Sequence, residues 1–211
     1  MEQKEKAKIV SQRLKEKFPN AVTELNFENE MQCAVSVMLS AQTTDKKVNE
    51  ITQKLFKKYL SWEDFANADL ATLQNDIRGV NFHLGKAERL ILAAKKILTE
   101  FEGKLPRTLN QLTTIPGIAR KSANVILQEM WGIAEGIVVD THITRLSNRL
   151  GLTKNQDAVI IEKDLMNLIP KENWRNFSQA AVLHGRYTCT ARKPKCIDCE
   201  LKDICPSAFK V

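Results

Sequence analysis

Four of the five cysteines in this 211-residue chain crowd toward its C-terminal end: Cys189, Cys196, Cys199 and Cys205, spaced C-x6-C-x2-C-x5-C. Thiols this close along the chain can all reach one centre, because the backbone needs only to loop around it. Two centres fit: a structural zinc held by four thiolates, or a four-iron, four-sulfur cluster held by the same number. Spacing alone leaves both open. Cys33 stands apart in an apolar run and reads as a small core residue. Between the first two thiols, Arg192, Lys193 and Lys195 put three positive charges on a short tethered loop, which suits a phosphate backbone.

A second group of residues could carry covalent chemistry. Ile115-Pro116-Gly117-Ile118-Ala119-Arg120-Lys121 separates two helical patterns, with Leu109 and Leu112 before it and Ala123, Ile126, Leu127 and Met130 after it. Pro116 is expected to stop the first helix, and Gly117 to take positive φ in the turn. The second helix then opens with free N–H groups toward the turn, an end suited to an anion such as DNA phosphate. Lys121 falls in its first turn, where the positive helix end favours the neutral amine. A neutral lysine is a nucleophile that can form a Schiff base. Asp140 follows the apolar run Ile137-Val138-Val139, precedes Thr141-His142-Ile143, and reads as a helix N-cap.

These residues must be positioned by helices, because the apolar periodicity is helical nearly throughout. Stripes run through Val48, Ile51, Leu55 and Tyr59; Leu90, Ala94, Ile97 and Phe101; Ala158, Ile161, Leu165 and Leu168; and Trp174, Phe177 and Ala181. Each is expected to be core. Met31–Ser40 is apolar nearly all round and reads as a buried central helix. Ser61 with Asp64 resembles a capping box, and Asp69 suits an N-cap. Phe18-Pro19-Asn20, Phe101-Glu102-Gly103 and Ile169-Pro170 read as helix stops. Only Ile137–Val139 looks strand-like, too short to define a sheet. The expected class is all-α, with about ten helices.

Composition bounds the rest. Hydrophobic residues make up 43% and charged residues 27%, which excludes disorder along the whole chain, and 8 Gly with 6 Pro exclude a collagen-like chain. No apolar run approaches the ~18 residues of a membrane span. The charged residues 1–8 lead into no apolar stretch, so no secretory signal and a reducing cytoplasm are expected. A net charge of +7 favours a polyanionic partner.

In order along the chain stand Thr23-Glu24-Leu25-Asn26-Phe27, Leu39-Ser40-Ala41-Gln42-Thr43-Thr44-Asp45, the Ile-Pro-Gly hairpin with Lys121, Val138-Val139-Asp140-Thr141-His142, and the four cysteines. Together they resemble the endonuclease III family, base-excision DNA glycosylases of the helix-hairpin-helix superfamily. The resemblance covers essentially the whole chain. It implies two helical domains, a six-helix barrel at 23–134 and a second domain formed by 1–22 with 135–211, with the active site in the cleft between them. It implies a [4Fe-4S] cluster on Cys189, Cys196, Cys199 and Cys205, which decides against zinc.

The implied activity is that of a bifunctional DNA glycosylase and AP lyase. It removes oxidised pyrimidines from duplex DNA through a lysine Schiff base and β-elimination 3′ to the abasic site. Lys121 is then the nucleophile and Asp140 the carboxylate that supports it. Gln42 fills the gap left by the flipped nucleotide, and Phe82 and His83 meet the opposite strand. Pro116, Gly117, Ile118 and Ala119 of the hairpin and Arg192 and Lys193 of the cysteine loop contact DNA. His142 is expected to be structural support. The implied partner is double-stranded DNA with a damaged base or abasic site, bound by a monomer in the cytoplasm.

Two sites depart from the family pattern: Ala119 stands where the hairpin usually has a second glycine, and Asn81-Phe82-His83 stands where Gly-Leu-Tyr is common. The alternatives are a mismatch-specific adenine or thymine/uracil glycosylase of the same fold, whose members usually lack the lysine, and a non-catalytic DNA-binding iron–sulfur protein.

Overall fold

The computed structural model describes residues 2–211 and is all-helical: among these residues there is no β-strand, only an isolated bridge between Arg78 and Val80. The helices are α1 (Gln3–Lys17), α2 (Glu30–Ser40), α3 (Asp45–Lys58), α4 (Trp62–Ala66), α5 (Leu70–Asp76), α6 (His83–Glu100), α7 (Leu109–Leu112), α8 (Arg120–Trp131), α9 (Thr141–Leu150), α10 (Ala158–Leu168) and α11 (Trp174–Tyr187), with a 3-10 turn at Lys171–Asn173 before the last. None is long and apolar enough to cross a membrane, among the described residues. Ile137–Val139 is extended but pairs with no strand. Its three side chains are buried, so the run is apolar because it crosses a core.

By packing, the chain divides into two units: Glu24–Gly132, and the residues up to Thr23 together with Ile133–Val211. In the first, α2 packs on α3, α6 and α8, while α4 and α5 pack on α6. Residues Cys33 through Leu39 of α2 are all buried, as its unbroken apolar run requires. Val48, Ile51, Leu55 and Tyr59 are buried as a stripe, as are Leu90, Ala94 and Ile97. Ser61 and Asp64 form the reciprocal capping box, and Asp69 caps α5 by accepting from the Thr72 N–H at 2.9 Å.

In the second unit α1 packs on α10 and α11, and α11 on α9. Its core gathers Leu14, Ile143, Leu146, Ile161, Leu165, Phe177 and Ala181, with Cys189, Cys199 and Cys205 packed against it. Ala158 departs from its expected stripe: as the first residue of α10 it is exposed. Gly185 is required for the α9–α11 approach, since a Cβ there would stand 2.8 Å from the His142 Cβ.

One stop signal is displaced. α7 is a single turn that ends at Leu112, not at Pro116. The Thr113 and Thr114 hydroxyls donate to the carbonyls of Asn110 and Gln111, at 3.0 and 2.8 Å, and compete with the helical ladder before the proline is reached.

Candidate active site and metal centre

The hairpin turns where the sequence places it. Gly117 has φ +84, and a Cβ there would lie 2.7 Å from Met38 Cε and 3.2 Å from Arg89 Cβ. Glycine thus serves both the left-handed backbone and the close approach. Ile118 differs from its neighbours in the turn. Its side chain is buried and its N–H already donates to the Ile115 carbonyl at 3.1 Å. The N–H groups of Gly117 and Ala119 carry no hydrogen bond among the described residues, and they are the donors left for an anion.

Ala119 is the N-cap of α8, with φ −83 and ψ 169, and no side chain caps the helix. That backbone is ordinary for any L-residue, so the missing second glycine introduces no strain here. Lys121 stands two residues on, exposed, its ammonium without a hydrogen bond or ion pair among the described residues. Nothing among the described residues competes for it.

Asp140 caps α9 with one oxygen only. Its Oδ1 accepts from the N–H groups of His142 and Ile143 at 2.8 and 2.9 Å. Its Oδ2 carries no hydrogen bond among the described residues. The cap fixes the carboxylate's direction and leaves one oxygen and the charge for chemistry. His142 accepts from an Arg145 guanidinium N–H at its Nδ1, 3.2 Å away, because an arginine can only donate. The same guanidinium donates to the carbonyls of Gly185 and Cys189 at 2.6 and 3.0 Å. His142 is thereby part of the α9–α11 packing.

Gln42 and Phe82 are both exposed, each in left-handed backbone, with φ +56 and +58. Phe82 immediately precedes α6, and His83 is its first residue. Ser40 and Asp45 close α2 and open α3, consistent with helix-end roles.

The four cysteines line one cavity with Leu146, Leu150, Leu201, Arg149 and His184. All four are free thiols. A polynuclear cluster holds its ligands farther apart than a single ion does, and the ring around a cavity suits it. N–H donors are in place for sulfur: Arg149 to Cys189 Sγ at 3.3 Å and the Leu201 amide to Cys199 Sγ at 3.4 Å. The His184 Nε2 lies 3.6 Å from Cys199 Sγ. Burial pushes the Cys199 thiol up to about 11.

Arg149 also fixes the basic loop, donating to the carbonyls of Thr190 and Ala191 at 2.8 and 2.9 Å. Arg192 and Lys193 are exposed on that anchored backbone. Helix α1 braces the far side through Arg13 to Asp203, at 2.9 Å for its second contact, and Lys17 to Glu200 at 2.5 Å. Sequence reasoning missed Arg145 and Arg149; their i, i+4 spacing on the polar side of α9 was the available signal.

The profile of the HhH-GPD superfamily base excision DNA repair proteins matches residues 35–171, and that of the iron-sulfur binding domain of endonuclease III matches residues 189–205. Endonuclease III of Synechocystis sp. is 45% identical over 92% of this chain and 89% of its own. The chain belongs to the endonuclease III family. As in that family it is a base-excision DNA glycosylase that carries a [4Fe-4S] cluster. Among solved structures, a non-covalent endonuclease III–DNA complex superposes with a TM-score of 0.94 at 34% identity, covering 100% of this chain and 98% of the other. A trapped endonuclease III–DNA covalent intermediate superposes at 0.93 with 35% identity, covering 100% and 99%.

Proposed function

We propose that the chain is a bifunctional DNA glycosylase and AP lyase that removes oxidised pyrimidines from duplex DNA, acting as a monomer. Lys121 carries the covalent chemistry and Asp140 supports it. One observation carries the reading: an unpartnered lysine at the start of a helix that no side chain caps, directly after a glycine turn with free N–H groups. The hairpin N–H groups of Gly117 and Ala119 hold a phosphate oxygen, with Pro116 and Ile118 fixing the turn.

The damaged nucleotide leaves the stack at a cost of a few kcal/mol, least where the lesion already pairs or stacks badly. Asp140 supports the loss of the attacking amine's proton and stabilises positive charge that builds on the sugar. The Lys121 Nζ then forms a bond to C1′, and the N-glycosidic bond breaks with its electron pair leaving on the base. The ring opens to an iminium between Nζ and C1′, the ring oxygen taking up the proton that the attacking amine sheds. Loss of a proton from C2′ expels the 3′ phosphate oxygen and cuts the strand, and water then hydrolyses the imine and frees Lys121. One amine thus serves both steps, which a water-activating residue alone would not.

Gln42 and Phe82 enter the duplex, Gln42 into the space of the flipped nucleotide and Phe82, with His83, against the opposite strand. Arg192 and Lys193 hold the phosphate backbone. The four thiolates of Cys189, Cys196, Cys199 and Cys205 bind the cluster, which when bound cross-links the loop that presents those two cations. The two structural units correspond in this reading to a barrel carrying the hairpin and a domain carrying the cluster.

Borohydride reduction tests the assignment. The protein is expected to form a covalent adduct with DNA that holds an abasic site or an oxidised pyrimidine. Lys121→Ala is expected to form none, and adduct at wild-type yield from that variant overturns the assignment.

A further inference from the structure

Two loops of the 24–132 unit each end in an exposed, non-glycine residue with left-handed backbone: Gln42 after α2 and Phe82 before α6. Such backbone costs free energy that glycine would avoid. The Phe82 ring covers no core in return, since the residue is 67% exposed. The strain is held by a set of hydrogen bonds that run between the loops. The Asn81 side-chain amide donates to the Gln42 carbonyl. The Asn81 backbone N–H donates to Thr43 Oγ1 at 3.1 Å. The Lys86 ammonium, on a residue only 6% exposed, donates to the carbonyls of Leu39 and Ala41 at 2.7 and 2.6 Å and reaches Thr43 Oγ1 at 3.4 Å.

We propose that Asn81 and Lys86 join these loops into one clip that sets Gln42 and Phe82 as a paired probe of the duplex, and so govern how the protein reads the base opposite the lesion. Asn81 and Lys86 are positioning residues: neither side chain is free to reach a substrate atom. Lys86 terminates α2 by satisfying carbonyls that the helix leaves open. Asn81 then carries that fixed position to the residue before Phe82. Two probes held by one frame enter the duplex together, so the gap on one strand and the stack on the other are filled in one step. An aromatic ring at the second position wedges beside the opposite base and parts it from its neighbour in the stack, and the cost of that unstacking depends on which base is there.

The inference rests on the functional reading above, and the test separates the two. The probe is a duplex with a tetrahydrofuran abasic analogue opposite 2-aminopurine, whose fluorescence rises when the base loses its stacking neighbours. Wild type is expected to bind it with a several-fold rise. Asn81→Ala, an exposed truncation that leaves the core intact, is expected to lose at least half of that rise and to weaken binding by about 3–10-fold. Lys86→Met is expected to do the same, and Asn81→Ala keeps the test decisive should Lys86→Met fold poorly. The affinity losses of Gln42→Ala and Phe82→Ala are expected to be coupled in wild type and simply multiplicative in the Asn81→Ala background. If Asn81→Ala matches wild type in fluorescence, or if the two losses multiply in wild type already, the clip is refuted while abasic-site binding stands. If wild type itself neither binds this duplex nor traps with borohydride, the functional reading is what fails.

Discussion

The two units hold the groups proposed to meet DNA by different means. In the 24–132 unit, backbone conformation does the work. The hairpin is held by apolar packing, with Met38 and Arg89 against Gly117, and the Gln42 and Phe82 loops by hydrogen bonds from the Asn81 and Lys86 side chains to main-chain carbonyls. In the other unit, Asp140 is held by the helix it caps, but residues 189–205 contain no helix and depend on side chains. The loop buries Leu201 in that unit's core and packs Cys189, Cys199 and Cys205 against it, and Arg149 and the α1 contacts hold the rest. A packed site does not depend on a cofactor, whereas a ligated loop without a helix loses part of what holds its shape when the cofactor is removed.

The largest expected effect separates charge from position. Asp140→Asn keeps a capping oxygen and loses the carboxylate, so base excision is expected to fall about 10²–10⁴-fold with thermal stability nearly unchanged. Asp140→Ala is expected to lose the same activity and, in addition, about 1 kcal/mol of stability in denaturant titration. A stable Asp140→Asn protein with full activity would place Asp140 with the structural caps.

Removing iron tests the comparison most directly. Chelation is expected to raise amide hydrogen exchange across 189–205 and to weaken binding to all duplexes, while α2 and α8 keep their protection. Uniform deprotection of both units would break the contrast. With the cluster intact, replacing Arg192 and Lys193 by alanine is expected to weaken binding irrespective of sequence and to lower the slope of affinity against salt by about 2.

Lys86 gives the packed unit a pH signature. Burial, with a smaller effect of Arg89, lowers its ammonium to about 8 from the ordinary 10.5. Between these values the unfolded chain binds the more protons, so stability rises with pH there and is flat on either side. Relative to Lys86→Met, wild type is expected to gain about 2–3 kcal/mol from pH 8 to 10.5 in chemical denaturation. Parallel curves for the two proteins would show that the lysine is solvated.

The smallest effects lie in the hairpin. Gly117→Ala is expected to cost about 1–2 kcal/mol from its left-handed backbone and to weaken DNA binding. Ala119→Gly is expected to change stability by about 0.5–1 kcal/mol, downward, since its extended backbone needs no glycine and the unfolded chain gains freedom. Opposite substitutions at two neighbouring glycine-type positions, each destabilising, sharpen the point that conformation, not residue type, defines the turn.

The amino-acid sequence by itself determined whatever is local. Helical stripes, the caps at Ser61, Asp69 and Asp140, the glycine turn and the cysteine quartet are all written within a few residues of one another, so spacing exposes them. The end of α7 was misplaced because two threonine hydroxyls outcompeted a proline signal farther on. Lys86 left a faint trace, a lysine four residues before Leu90 on a buried stripe.

Only tertiary structure decided what runs between distant segments. The bonds of Asn81 to Gln42 and of Lys86 to Leu39 span 39 and 47 residues, and those of Arg149 to the cysteine loop span 40 to 42. A hydrogen bond across such a separation imposes no period on the sequence, and its two ends become neighbours only after the helices between them have packed.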